Sequence, residues 1–444
     1  MSKSKQGENS HGASQRMEDL ISLCKRRGFI FQGSEIYGGL AGTWDYGHFG
    51  LALKNNIKAL WWKKFVTERE DMYGVDADIL MNQKVWQATG HAENFSDPLI
   101  ECKKCKKRFR ADKVADVKKC PECGGEMGEP KQFNMMFKTH VGAIQDDTSI
   151  SYLRPETAQG MFVNYKNVID AYHPKLPFGM AQVGKAFRNE ISPGDFTFRS
   201  REFEQMEIEY LIRPDSWEGI FEHFRREMLD WTKLIGLNPK HVYEHEIEEP
   251  AFYSKRTIDF EFEFPFGREE LYGLAYRTDY DLTKHSNYSG INLDYLDEET
   301  KERFIPHCIE PSFGLDRSVL AVLSDAYTED ELGGEKRIYM KFAPIVAPVK
   351  IAVFPLLKNK PQLVEKAREV YKDLKKQFGA VMFDDNGNIG KRYRRQDEIG
   401  TPYCVTVDFE TIEKDNMVTV RDRDTGNQER VKIEDLKEFF GKKF

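Results

Sequence analysis

Residues 184–211, GKAFRNEISPGDFTFRSREFEQMEIEYL, constrain this chain more than any other stretch. Ser192-Pro193-Gly194-Asp195 sets Pro and Gly at the two central positions of a turn, the pairing a type II turn favours. The stretch therefore reads as two strands around a tight turn. On the outgoing arm a period of two puts Arg199, Arg201, Phe203, Gln205 and Glu207 on one face. Phe198, Ser200, Glu202, Glu204, Met206 and Ile208 fall on the other. On the incoming arm Arg188 and Glu190 share a face by the same rule. A face of arginines, a ring and carboxylates is ill suited to a hydrophobic core. It suits a ligand with phosphates for the arginines, a flat base for the phenylalanine and an amino group for a carboxylate. ATP beside an amino acid has those parts; an exposed hairpin with scattered ion pairs is the plain alternative.

The whole chain of 444 residues has room for two or three domains and a large core. Its net charge of −7 gives no overall basic signal for nucleic acid. Residues 349–444, however, hold 20 Lys and Arg against 17 Asp and Glu, a surplus of three on an otherwise acidic chain. No apolar run approaches a membrane span. The polar stretch 1–15 lacks the apolar core of a secretory signal, and it reads as a flexible tail on a cytoplasmic protein with no membrane partner.

Four of the seven cysteines form two CxxC knuckles, Cys102/Cys105 and Cys120/Cys123. Short loops of this kind turn paired thiolates onto one ion, so the spacing predicts a structural zinc site of four thiolates in a reducing compartment. Between them runs KKRFRAD, either a solvated basic face or a means of placing Arg110 toward a site.

In chain order the pattern predicts a short helix over 16–27, then an ordered glycine-rich loop over 29–49. A long amphipathic helix follows over 51–68 and a strand over 76–80. Strands over 133–137 and 150–153 precede a helix over 157–165 with Glu156 in its first turn, where an acid suits the helix dipole. A striped helix covers 216–234, and strands cover 257–266 and the run from 269. Residues 305–323 read as strand, glycine turn and helix, and Arg317 in that helix's first turn points to an anionic ligand. Lys341–Pro348, with two prolines in eight residues, reads as a linker. Beyond it, strands and helices alternate as in a small α/β domain, with residues 387–395 read as a loop.

The pattern Phe187-Arg188-Asn189-Glu190 … Arg199 … Phe203 … Glu207 resembles motif 2 of class II aminoacyl-tRNA synthetases. The helix and strand over 51–80 resemble motif 1, the dimer element, without its usual proline, and EPSFGLDR (310–317) resembles motif 3. RPETAQG (154–160), RTDYDLTKHS (277–286) and IGKRYRRQDEIGTPYCVTVDF (389–409) resemble the homodimeric glycyl-tRNA synthetases.

The resemblance implies an α+β protein whose catalytic domain is a class II antiparallel sheet. That domain would span 16–345 with a zinc-ribbon-like insertion over 97–132, and an α/β anticodon-binding domain would span 346–444. It implies a homodimer, partners glycine and tRNA(Gly) rather than DNA, and the cofactors ATP, Mg2+ and Zn2+. Arg188 and Arg317 would be catalytic. ATP would meet Arg188, Asn189, Glu190, Phe198, Arg199, Phe203, Glu270, Leu271, Gly314 and Arg317. Glycine would meet Arg110, Glu156, Phe203, Gln205, Glu207, Glu310, Ser312 and Gly314. Lys391, Arg392, Arg394 and Arg395 would meet tRNA phosphates. A synthetase of other specificity would not keep the three glutamates 156, 207 and 310, and a non-catalytic relative would be expected to have lost Arg188, Arg317 or Glu310.

Overall fold

The computed structural model describes residues 3–444, with side chains described from residue 14. Seven strands make the central sheet: β1 (Met72–Gly74), β2 (Phe178–Phe187), β3 (Glu202–Ile212), β4 (Val242–Glu246), β5 (Arg256–Phe264), β6 (Gly267–Thr278) and β7 (His307–Gly314). Their order is β4-β5-β6-β7-β3-β2-β1. Every pairing is antiparallel except β1 with β2.

Alternation along the strands divides the sheet into an apolar back and a polar front. Met206, Ile208, Leu274, Ile309 and Phe313 face back and are buried, against the helices α2 (His48–Trp62), α4 (Trp217–Leu234) and α6 (Leu315–Ala326). Phe313 sits at the centre of that layer, its ring 5.2 Å from Phe65 and 4.9 Å from Tyr272. The tyrosine hydroxyl is satisfied by Trp231 at 3.1 Å and Ser318 at 2.8 Å. At the front, α3 (Ala158–Tyr172) and α5 (Tyr280–Ser289) cover one end of the sheet, leaving Gln205, Glu207, Arg277, Glu310 and Ser312 to line a cavity.

Several expectations shift. The first helix, α1, runs Lys3–Arg27 rather than 16–27. Most of the stretch read as a tail therefore continues a helix that Met17, Leu20 and Leu23 anchor to the core; Met1 and Ser2 lie outside the described residues. The strand expected over 76–80 is split between β1 before it and a two-residue strand, Leu80–Met81, at its end; between them the carbonyl of Ala77 is taken by Arg154 at 2.6 Å and Gln182 at 3.2 Å. The central hairpin pairs Gly184 with Gln205 and Phe187 with Glu202, but its connection is a fourteen-residue loop over 188–201 rather than a tight turn. The left-handed residues there are Asp195 and Phe196, not Gly194, so the turn is not type II.

Lys341–Pro348 is no loose linker. Phe342, Val346 and Ala347 are buried in the core behind the central sheet, and Asn56 of α2 donates to the carbonyls of Val346 and Ala347 at 3.2 and 3.0 Å. Prolines exclude regular structure from this segment, yet its apolar side chains still bury.

The C-terminal unit comprises β8 (Ile351–Pro355), α7 (Pro361–Phe378), β9 (Val381–Phe383), α8 (Ile389–Ile399), β10 (Tyr403–Val407), β11 (Met417–Asp422), β12 (Gln428–Lys432) and α9 (Leu436–Gly441). The sheet order is β9-β8-β10-β11-β12. A buried network joins the unit to the part of the chain built on the central sheet. Arg337 of the hairpin following α6 pairs with Asp330 at 2.7 Å and Asp397 at 3.3 Å, and donates to the Arg423 carbonyl at 2.7 Å.

The segment read as a loop over 387–395 is mostly α8, capped by Asn388 accepting from the Lys391 amide at 2.9 Å. This corrects the basic cluster. Arg392 is buried and donates to the carbonyls of Pro355, Asp385 and Gly387. Arg395 pairs with Asp384 at 2.8 Å and Arg394 with Glu335 at 2.8 Å. Of these four basic residues only Lys391 is exposed. Arg392 cannot contact a phosphate, because its guanidinium is already holding the loop that precedes α8.

Candidate active site

A cavity of about 590 Å³ opens on the front of the sheet. Its lining includes Arg110, Glu156, Arg188, Glu190, Phe198, Arg199, Phe203, Gln205, Glu207, Glu270, Leu271, Glu310, Ser312, Gly314 and Arg317. Every expected ATP or glycine residue is thus on its wall except Asn189, whose amide donates to the Met135 carbonyl at 2.7 Å.

At one end the walls are cationic. Arg188 lies between the rings of Phe95 and Phe203, 5.4 and 5.3 Å from their centroids, and its Nε donates to the Pro155 carbonyl at 3.1 Å. Two rings and one carbonyl fix the guanidinium while leaving donors free. Arg317, in the first turn of α6, lies 4.5 Å from the Phe198 ring and 3.1 Å from Glu270, and Arg317 holds the Glu270 carboxyl below its usual range. Glu190 is buried with one oxygen unpartnered, and burial raises its carboxyl against Arg188 and Arg199. Arg110 lies on the insertion side, paired with Asp97 at 2.7 Å and Asp112 at 2.8 Å.

The other end is anionic. Arg154 donates to the Lys185 and Ala77 carbonyls, both at 2.6 Å, and locks the turn that presents Glu156. Gly184 permits this approach, since a Cβ there would lie 2.2 Å from the guanidinium. Thr157 donates to Glu207, which also receives Ser312 at 2.7 Å and Gln205 at 3.2 Å. Glu310 receives Arg277 at 2.9 Å. Burial is the main influence on all three acids. It raises Glu310 to about 8 and raises Glu207, while at Glu156 it is outweighed by His91, 3.3 Å away, and Arg277, which hold the carboxyl low.

Several contributors had escaped the sequence reading. Glu209 lies one layer below Glu207, accepts from Cys308 at 3.0 Å and keeps one oxygen unpartnered. The period of two that selected Gln205 and Glu207 selects it too. Arg277 is buried and chelated by Asp281 at 2.8 and 2.9 Å. On the cavity wall Asp316 accepts from Lys54 at 2.8 Å, Tyr46 at 2.5 Å and the Glu204 amide at 2.6 Å, tying α6 to α2 and β3. His91 and Tyr253 lie outside the sheet, where no strand period marks them.

In the insertion, strands Ser96–Glu101, Arg108–Arg110 and Lys131–Asn134 form a small sheet. The four expected sulfurs lie within 4.8 Å of one another, with Cys102–Cys123 at 3.6 Å and Cys105–Cys120 at 3.7 Å. Tetrahedral thiolates about 2.3 Å from one ion would stand roughly 3.8 Å apart.

The chain matches two family descriptions, "tRNA synthetase class II core domain (G, H, P, S and T)" over residues 137–326 and "Anticodon binding domain" over residues 350–443. It is 51% identical to the glycine–tRNA ligase of Lachnoclostridium phytofermentans, with 96% of this chain and 99% of that protein aligned. The glycine–tRNA ligases of Clostridium acetobutylicum and Geobacillus thermodenitrificans are each 50% identical over 96% of this chain and 98% and 97% of their own lengths.

Proposed function

The chain belongs to the glycine–tRNA ligases, enzymes of the class II synthetase core, and from that membership we propose how its cavity activates glycine. The reaction joins glycine to ATP as glycyl-adenylate and then passes the glycyl group to the 3′ end of tRNA. The observation that carries the reading is the single cavity with cations at one end and three glutamates at the other.

In the first step a glycine carboxylate oxygen bonds to the α-phosphorus, and the bond to the bridging oxygen breaks to release pyrophosphate. Glycine's carboxylate is ionised at neutral pH, so the step needs alignment and charge stabilisation rather than a base. Arg188 bridges the carboxylate and the α-phosphate, Arg317 holds the γ-phosphate, Phe203 stacks on adenine and Glu190 accepts from its amino group. In the second step the terminal tRNA hydroxyl attacks the carbonyl and AMP leaves. Class II chemistry uses Mg2+, which neutralises phosphate charge. Glu270 and Asp259 suit it: both line the cavity, and burial and the neighbouring Glu270 raise Asp259 to about 7, as expected of two carboxylates facing one space.

Glu156, Glu207 and Glu310 receive the glycine ammonium. Burial raises the Glu310 carboxyl to about 8, and only its anion attracts the ammonium. The kcat/KM for glycine therefore climbs with pH toward about 8. Glu310→Gln keeps the contact with Arg277, loses that climb and raises the glycine KM at least about tenfold, with the ATP KM within about twofold. A raised ATP KM with unchanged glycine KM would move Glu310 to the nucleotide.

Zinc fits the insertion's sulfurs, whose separations approach those of a tetrahedron, and the bound ion would hold the fold of the ribbon. Protein purified without chelators is expected to contain one equivalent of zinc per chain; less than about half an equivalent contradicts this.

An apolar hollow beside edge strand β1, lined by Ala59, Trp62, Val75 and Val183, supports a homodimer through this face. Among the described residues no helix is long and apolar enough to cross a membrane, and we assign the work to the cytoplasm, with the C-terminal unit reading the anticodon. Lys391 remains a phosphate contact in this reading; Arg392 does not.

A further inference from the structure

The activity above requires rejection of every amino acid larger than glycine, and the nearest competitor, alanine, differs by one methyl. Glu207 and Glu310 are oriented by Ser312 and Arg277 and meet the ammonium. A further wall of the cavity comes from the loop over 247–255, which joins β4 to β5.

Both sides of this loop are tied to the sheet. The Ile247 amide donates to the Thr257 carbonyl at 2.9 Å and the Lys255 amide to the Tyr276 carbonyl at 2.8 Å. Ser254 adds side-chain bonds to the Arg256 and Tyr276 carbonyls at 2.8 and 3.2 Å. Between these ties Phe252 turns outward, 70% exposed, and Tyr253 turns inward to line the cavity with Pro250 and Ala251. The Tyr253 ring centroid lies 4.2 Å from the Arg277 guanidinium. Arg277 is held by Asp281 and Glu310, with the Phe162 ring 5.7 Å away. The ring is therefore backed on one side by a guanidinium that is itself held in place.

Among the described residues the Tyr253 hydroxyl makes no side-chain or backbone hydrogen bond, so ring contact rather than a polar tether sets its position. Burial raises the phenol; Arg277 and Arg188 oppose that, and Glu310 and Glu156 add to it. Tyr253 lines the cavity together with Glu156, Arg188 and Glu310, and so shares a wall with residues assigned to both ends of the substrate.

We infer that Tyr253 is a specificity-determining residue, the rigid aromatic wall that excludes a β-carbon from the glycine site. The inference rests on the assignment of the anionic end of the cavity to glycine. Exclusion by a backed ring is a repulsive device, which can separate substrates that differ by one methyl where attraction alone gives modest discrimination.

The test is pyrophosphate exchange with glycine and with L-alanine for wild type, Tyr253→Ala and Tyr253→Phe. Tyr253→Ala should raise the alanine-to-glycine ratio of kcat/KM at least about tenfold, while Tyr253→Phe keeps the ratio within about twofold of wild type. If Tyr253→Ala proves unstable by thermal melting, Tyr253→Leu replaces it, with the same direction expected. An unchanged ratio in a folded Ala or Leu variant that still activates glycine overturns the inference. A rise in Tyr253→Phe equal to that in the smaller variants also overturns it, since volume would then not be the cause. A wild-type enzyme with no glycine-dependent exchange overturns the site assignment itself, and this inference with it.

Discussion

Arg188→Ala reduces glycine-dependent pyrophosphate exchange by two to three orders of magnitude, a loss of about 3–4 kcal/mol of transition-state stabilisation. The cause is local. The Arg188 side chain makes one backbone contact, at Pro155, and otherwise lies between two rings, so its truncation removes little buried structure. The remaining donors line the cavity, where the proposed mechanism puts the negative charge that accumulates at the α-phosphorus. Because that charge develops in the transition state, kcat should fall more than either KM rises. Arg188→Lys recovers little, because a single ammonium cannot bridge a carboxylate and a phosphate as a planar fork does. Unchanged thermal melting with lost exchange is the expected pair of results. Exchange within tenfold of wild type would remove Arg188 from the chemistry.

Arg277→Met has the largest expected effect on stability, because it strands Asp281 and Glu310 without the only cation among the described residues that hydrogen-bonds to both. Both acids are buried, and Glu209, also buried, has an oxygen within 4.8 Å of oxygens on Glu207 and Glu310. Removing one partner of a buried ion pair costs about 3–5 kcal/mol, most of it the isolation of what remains. The denaturant midpoint should drop accordingly, and glycine activation should vanish as the pocket loses its shape. Adding Asp281→Asn and Glu310→Gln to Arg277→Met should recover part of the midpoint but not the activity. A midpoint equal to wild type in Arg277→Met would show that the acids are not buried against this guanidinium.

How far the sequence led depended on whether a residue's role left a periodic trace. The face of β3 was legible because a strand alternates: Gln205 and Glu207 read forward while Met206 and Ile208 read back, as the structure has them. The cysteine spacing foretold four converging sulfurs, because short chelating loops leave the chain little choice. α8 was illegible for the opposite reason. Its buried face carries Arg392, Gln396 and Asp397 as well as Ile399, so no apolar stripe announces a helix and the arginines read as surface. Lys341–Pro348 misled in the same way, since prolines signal irregular backbone and say nothing of whether Phe342 and Ala347 are buried. Tyr253 and His91 reach the site from outside the central sheet, and only tertiary structure brings them there.

The central claim is that one cavity binds ATP and an amino acid with no side chain. Pyrophosphate exchange measured with wild-type enzyme, ATP, Mg2+ and each of the twenty amino acids in turn tests it most directly. The account predicts strong exchange with glycine, alanine lower by at least about two orders of magnitude, and none above background for the rest. Exchange of comparable strength with alanine or any larger amino acid, or none with glycine, would contradict it.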